Sequence, residues 1–315
     1  MLSIDDIQIF LATHNRANYI KDSIQSLLNQ SIKPVKIIVL DNESTDNTQE
    51  TVENFKSQGV KYIRTSGFLG NWKKFKELAD KKYCMLFHDD DLLHPKYLEY
   101  ALKLLNEHPD LSLITTRYTE FKDDKIPDMP EKISYNAFVF DTQKEFAEFL
   151  YYKEIVAYAT AIYKTTDFKK CHIEYDKFSK FNDWPFMVKM ASYGKSAIFE
   201  NPKLFYIRRH NGQDTWTSTN TPTVEQIINW DLFFKNALNA NKDIKEYIKF
   251  IKHYKHFLLG KYNAFLSLND KEKYSAQDVI NIARKMGIED FDNNIIKAIY
   301  YPIFFFEKFR RNTCL

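Results

Sequence analysis

The amino-acid sequence predicts an α/β protein: a mostly parallel β-sheet with helices on both faces, followed by a helical C-terminal region. Three observations predict it. Short apolar runs alternate with stretches of helical period as far as Glu107. Three of those runs end in clusters of polar residues, the edge at which open α/β sheets bind their ligands. Beyond Thr223 the apolar spacing is helical throughout.

Taken in order, Ile7–Ala12 (IQIFLA) reads as a buried strand. Asn18–Gln30 carries Ile20, Ile24, Leu27 and Leu28 at helical spacing. Val35–Leu40 (VKIIVL) is a second strand, rich in β-branched residues. Thr48–Gln58 is helical, Val60–Arg64 a short strand, Asn71–Asp80 a helix, Tyr83–Phe87 a strand and Pro95–Glu107 a helix. Strand and helix in strict alternation imply parallel strands covered on both sides. Leu111–Thr116 reads as a strand, 123–130 (DDKIPDMP) as a polar loop, Lys144–Tyr152 and Trp184–Tyr193 as helices, and Ser196–Arg208 as one or two strands. The turn-rich, hydroxyl-rich stretch 211–222 (NGQDTWTSTNTP) is the expected boundary. It separates a first domain, residues 1–215, from a helical region, residues 223–315.

Composition narrows the function. With 44% hydrophobic residues the chain can bury a sizeable core. Lys+Arg 45 against Asp+Glu 42 leaves +3, too balanced for nucleic acid to be the main partner. The three cysteines, Cys84, Cys171 and Cys314, are far apart and show neither a disulfide framework nor zinc spacing, which fits a reducing compartment. Asp5 and Asp6 stand where a signal peptide needs positive charge, and no apolar run reaches 18 residues. A cytoplasmic location is expected.

The polar clusters carry the chemistry. Ile7–Ala12 runs into Thr13-His14-Asn15-Arg16, Val35–Leu40 into Asp41-Asn42-Glu43-Ser44-Thr45-Asp46, and Tyr83–Phe87 into His88-Asp89-Asp90-Asp91. Adjacent carboxylates disfavour one another's ionised form. A solvated loop tolerates them; so does a hard divalent cation, Mg²⁺ or Mn²⁺, which takes one or two carboxylates plus substrate phosphates. "DNESTDNT" also supplies helix caps, and Asp41 reads equally as a loop cap or as a hydrogen-bond acceptor for a ligand.

"ATHNR", "VLDNESTDNT" and "MLFHDDDLLHP", in that order and spacing, resemble the motifs of family 2 glycosyltransferases of bacterial surface-glycan type. The resemblance covers roughly residues 5 to 215. It implies the GT-A fold, a Rossmann-like nucleotide-diphospho-sugar transferase architecture with a mixed, mostly parallel sheet. It also implies a set of roles. Thr13 and Asn15, with Arg16 beside them, lie at the nucleotide; Asp41 matches the aspartate that recognises uracil; Asp89 falls where the ribose is held and Asp90 where the metal is bound; Asp91 extends the same loop. Asn42 and His88 depart from the family pattern, where aspartates are frequent. "SGFLGNWKKFKELA" resembles the segment between nucleotide site and metal loop, with Asn71 and Lys74 in reach of base or phosphates; an ordinary helix start with surface lysines reads as well. "FNDWPF" resembles the stretch whose aspartate is the catalytic base, which makes Asp183 the base; as a bare sequence it is also a helix N-cap. His210, after Arg208 and Arg209, lies near where related enzymes carry a histidine that touches metal or diphosphate; a structural or solvent-facing histidine reads as well. The arginines either grip phosphate or face water, and Trp184 and Trp216 either stack on a sugar or fill core.

The expected activity is inverting sugar transfer, dependent on Mn²⁺ or Mg²⁺. The donor is a nucleotide-diphospho-sugar, taken as a UDP-sugar, and the acceptor a glycan or lipid-linked glycan. A nucleotidyltransferase would need a glycine-rich loop after the first strand, and residues 12–20 contain no glycine. A catalytically silent carbohydrate-binding or scaffold protein is the other alternative. Ile295–Arg311 (IIKAIYYPIFFFEKFRR) suits an amphipathic segment in the headgroup layer on the inner face of the membrane. Packing against the other C-terminal helices, or a subunit interface in an oligomer, accounts for it equally.

Overall fold

The computed structural model describes residues 1–33, 35–122, 125–130, 133–152, 156–210 and 224–240. The expected boundary at 211–222, Trp216, Cys314 and the Ile295–Arg311 segment lie outside the described residues. The first half comprises β1 (Ile7–Thr13), α1 (Ile20–Leu28), β2 (Ile37–Asn42), α2 (Thr48–Glu53), β3 (Val60–Thr65), α3 (Gly70–Leu78), β4 (Tyr83–His88), β5 (Leu92–Leu93) and α4 (Tyr97–Glu107). The second comprises β6 (Leu111–Thr116), β7 (Tyr118–Lys122), β8 (Asn136–Phe140), α5 (Gln143–Tyr152), β9 (Ile162–Lys164), α6 (Thr165–Phe168), α7 (Tyr175–Phe178), α8 (Asp183–Met190), β10 (Lys195–Asn201), β11 (Phe205–Arg209) and α9 (Val224–Ala237).

Eight strands form one sheet in the order β3-β2-β1-β4-β9-β6-β10-β8. β1 to β4 are mutually parallel, as the alternating sequence predicts. The second half departs from a purely parallel sheet: β9 runs antiparallel between β4 and β6, and β8 is an antiparallel edge on β10. The chain steps outward from β1 through β2 to β3, then returns to β4 on the other side of β1. This reversal opens a crevice at the carboxyl ends of β1 and β4.

Period-two alternation sends side chains to two cores. Ile7, Ile9, Leu11, Ile37, Val39, Tyr83, Met85 and Phe87 face one side and meet the apolar stripes of α1, α2 and α4. Phe10, Leu40, Cys84 and Leu86 face the other side, against α3, α5, α6 and α8. Trp230, Phe234 and Leu238, from α9 and the residue after it, join this second core. Trp184 packs on Trp230 and Phe234, with ring centroids 5.7 and 6.4 Å apart, so its ring is spent on core packing. Cys84 and Cys171 are buried, free thiols. Among the described residues no helix is long and apolar enough to cross a membrane.

A second, three-stranded sheet, β5-β11-β7, sits beside the first. β5 follows the acidic triplet directly and pairs antiparallel with β11, Leu93 opposite Phe205 and Leu92 opposite Tyr206. Continuing that register by two residues sets Arg208 against Asp90. A two-residue strand thereby carries the end of β11 onto the acidic loop.

Candidate active site

The strand registers gather the polar clusters. Thr13 lies opposite Asp41, Ala12 opposite His88, and Asp41 opposite Arg64. The loops beyond them are bonded to one another. The Asn15 N–H donates to Ser44 Oγ (2.7 Å), and Asn15 Oδ1 accepts from the Thr45 N–H (2.8 Å). The Arg16 N–H donates to Thr48 Oγ1 (3.1 Å). His14 links all three clusters: its N–H donates to Asp89 Oδ2 (3.2 Å), and Nδ1 lies 2.6 Å from the Asn42 carbonyl oxygen.

Backbone strain collects at this edge. Asn15, Glu43 and Leu69, in the loops after β1, β2 and β3, have φ of 52°, 60° and 56°. Ser179, four residues before Asp183, has φ 51° and ψ −141°, a region otherwise left to glycine. Non-glycine residues in such conformations cost on the order of 1–3 kcal/mol each and concentrate at functional sites.

Asp41 is fully buried. Its Oδ1 accepts from the Ser44 N–H (3.0 Å) and its Oδ2 from the Tyr62 hydroxyl (2.6 Å). The carboxylate therefore shapes its own turn, as a loop cap does, and Tyr62 fixes its orientation. Asn71 bridges β1 and β3: Nδ2 donates to the Thr13 carbonyl (3.1 Å) and Oδ1 accepts from the Thr65 hydroxyl (2.6 Å). Gly70 allows this approach, since a Cβ there would stand 2.6 Å from Asn42 Oδ1. Lys74 spends its ammonium on Glu77, three residues along α3, at 2.8 Å.

The acidic triplet divides by burial. Asp89 and Asp91 are buried, Asp90 half-buried. Burial and the charge of Asp90 push Asp89 up to about 7, against the pull of the Thr13 hydroxyl, Arg16 and the His14 N–H. Burial and Asp90 likewise hold Asp91 well above the usual carboxylate range, although the Arg208 N–H donates to its Oδ1 at 3.0 Å. Asp90 Oδ2 lies 3.0 Å from His210 Nε2, and its carbonyl accepts from Arg208 Nε at 2.9 Å. The His210 ring packs on Tyr19, with centroids 4.4 Å apart. Arg208 does not face water. Buried, it pairs with Asp22 Oδ2 (2.9 Å) beneath the loop. Arg209 pairs with Glu120.

His88, Asp90 and Asp91 each offer a ligand atom, all within 4.8 Å of one another. Two carboxylates and an imidazole make a nitrogen–oxygen donor set able to hold a divalent cation. Asp91, a carboxylate made costly by burial and by the charge of Asp90 beside it, also fits a site completed by positive charge. His210 lies against Asp90, whereas the grouped histidine is His88. Sequence reasoning missed His88 as a member of this group, along with Asp22 and Tyr62. The position of His88 at the strand end was the available signal; for Asp22 and Tyr62 there was none.

Asp183 comes from the second half of the chain. It is the first residue of α8; the N-cap residue before it, Asn182, makes no side-chain capping bond. Among the described residues the carboxylate accepts no hydrogen bond. It is exposed to solvent, yet enough protein crowds round it to push its pKa up to about 7 by desolvation. Burial raises the Tyr158 and Tyr163 hydroxyls well above the usual phenol range, and the Asp183 charge adds to both shifts. Phe186, one turn along α8, packs on Trp72 of α3 with centroids 5.0 Å apart. Trp72 follows Asn71, so α3 joins the base of α8 to the end of β1.

A sequence model of glycosyl transferase family 2 matches residues 8–171, more than half of the chain. The chain is 23% identical to an uncharacterized glycosyltransferase of Rickettsia typhi over 318 residues, 98% of this chain and 93% of that one. It is 29% identical to the abequosyltransferase RfbV of Salmonella typhimurium over 121 residues, 36% of each chain. Among solved structures, TarS 1-349 of S. aureus matches with a TM-score of 0.60 at 18% identity, over 88% of this chain and 78% of that one. The same protein in complex with UDP-GlcNAc gives 0.54 at 16% identity, over 73% and 66%. At these identities the structural likeness concerns the fold.

Proposed function

The chain belongs to glycosyl transferase family 2, and on that premise we propose that it moves a sugar, with inversion, from a UDP-sugar to a hydroxyl of a glycan or lipid-linked glycan. The observation that carries this reading is the convergence of the β1, β2 and β4 loops on the grouped His88, Asp90 and Asp91. The donor nucleotide that TarS binds in its complex, a uridine diphosphate sugar, supports the choice of donor class.

Thr13, Asn15, Arg16, Asp41 and Asn71 form the nucleotide side of the crevice, and Asp89 and Asp91 its ribose and phosphate side. Asp41 supports its loop through Ser44 and Tyr62, and a uracil would meet it in that fixed orientation. His88, Asp90 and Asp91 would hold a divalent cation, with His210 orienting Asp90 from behind. When bound, that cation, Mn²⁺ or Mg²⁺, would neutralise charge on the departing diphosphate. Asp183 takes the proton of the acceptor hydroxyl. Among the described residues it accepts no hydrogen bond, and a pKa of about 7 suits proton transfer near neutral pH. Positioning two substrates and stabilising a leaving group supply most of the acceleration in such a reaction. The division into a domain of residues 1–215 and a helical region of residues 223–315 belongs to the same proposal.

Thermal unfolding tests the donor half. Mn²⁺ with UDP should raise the melting temperature of the wild type, since any ligand that binds only the folded state stabilises it. Asp90→Ala should lose that shift. Equal stabilisation of both proteins would remove Asp90 from the metal site.

A further inference from the structure

An aromatic pair with no part in the roles above stands on two segments, one bonded to the loop after β2 and the other to Asn182, the residue before Asp183. Phe68 is 60% exposed at the tip of the turn joining β3 to α3. Its ring meets that of Tyr175 edge to face, with centroids 4.7 Å apart and planes at 82°. A lone exposed phenylalanine is ordinary. This one is held in place by construction. Gly67 before it and Leu69 after it both have positive φ, 76° and 56°, and the leucine carries strain that a glycine would not. The Gly67 N–H donates to Glu43 Oε2 (3.2 Å), the Gly70 N–H to the Gly67 carbonyl (2.9 Å), and the Lys73 N–H to the Leu69 carbonyl (2.9 Å). The turn is thus fixed to the β2 loop on one side and to α3 on the other, while the ring at its tip stays in solvent.

Tyr175 is fixed from the opposite side. It opens α7, and the N–H of Glu174 just before it donates to Asn182 Oδ1 at 3.4 Å. Asn182 immediately precedes Asp183. The two rings therefore bridge a turn bonded to the Asp41 loop and a segment bonded to the Asp183 loop. If Asp183 takes a proton, the hydroxyl that gives it up must enter this same interval.

We propose that Phe68 and Tyr175 form an acceptor subsite, in which the apolar C–H face of a pyranose ring packs into the corner between the two aromatic rings. The proposal rests on the glycosyltransferase reading above and adds the group that positions the acceptor. The strain at Leu69 is then the cost of presenting an apolar ring to a ligand that arrives from water.

Retention of the fluorescently labelled full chain on an immobilised array of bacterial and mammalian glycans, with Mn²⁺ and UDP present, tests it. UDP affinity is measured in parallel by calorimetry. Wild type should be retained by a subset of the glycans. Phe68→Ala should lose at least tenfold of that signal, and Phe68→Trp should keep most of it. Both variants should bind UDP within twofold of wild type and melt at an unchanged temperature. Glycan retention indifferent to Phe68 overturns the proposal, and so does retention of no glycan by a wild type that binds UDP. A parallel fall in UDP affinity assigns the ring to the nucleobase and overturns it too. A wild type that binds no UDP fails at the earlier step: the donor reading falls, and the subsite with it.

Discussion

At the scale of single residues, two carboxylates are held in opposite ways. Asp41 is fully buried and fully bonded; Asp183 is reachable by solvent and bonded to nothing among the described residues. The first suits a fixed acceptor and the second a group that must change its protonation state. Tyr62→Phe removes one of the two bonds to Asp41. It should destabilise the fold by about 1–3 kcal/mol, because a buried acceptor is left short of a donor, and it should weaken UDP binding. Chemical denaturation and calorimetry read the two effects. Asp183→Asn should lower the transfer rate by about 10²–10⁴-fold with UDP affinity nearly intact. The wild-type rate should rise with pH through about 7, as Asp183 loses its proton. The stability sign follows from the same shift. The folded chain keeps this proton up to about pH 7, and the unfolded chain releases it near 3.8. Between those values the folded state binds more protons, so the contribution of Asp183 to stability falls as pH rises and is level above the window. The melting temperature of Asp183→Asn relative to wild type should therefore climb from pH 4 to 7 and then stay constant. A flat difference would mean that Asp183 titrates normally.

At the scale of elements, β5 and β11 matter beyond their length. Two residue pairs fix the register that brings Arg208 under the acidic loop and His210 onto Asp90. Arg208→Met should destabilise the fold by about 2–4 kcal/mol, since it leaves the Asp90 carbonyl and Asp22 without their partner. It should also reduce the stabilisation by Mn²⁺, because the loop loses its floor. An unchanged metal response, read by thermal unfolding, would confine Arg208 to a structural role. The sequence makes the outer elements of this site plain and hides these inner ones. Tyr83–Phe87 reads as a strand because five apolar residues precede the aspartates, and β4 runs one residue further, to His88. β5 spans two residues and β9 three, too short to carry a period. Their state is set by strands far away in sequence. The pairing of His210 with Asp90, across 120 residues, follows from that register and from no local pattern.

At the scale of the whole molecule, the sheet is legible because it separates two cores. Residues such as Ile9 and Phe10 alternate between faces that both need helices, and the helices follow each strand in sequence. The antiparallel β9, lodged between β4 and β6, escapes that logic because its neighbours are chosen in space. The candidate site is legible to the same degree. Thr13, Asp41 and the acidic triplet stand at strand ends and converge as such ends must. The crowding that pushes Asp183 up arises only when the second half folds against the first, and the bonds that hold Asp41 and the Phe68 turn join segments some twenty residues apart within the first half. Release of UDP from a panel of UDP-sugars, with Mn²⁺ or with EDTA, tests the central claim most directly. With Mn²⁺, wild type should release UDP from at least one donor, and EDTA or Asp90→Ala should each abolish the release. Release that proceeds unchanged in EDTA, or the absence of release from every UDP-sugar, would contradict it.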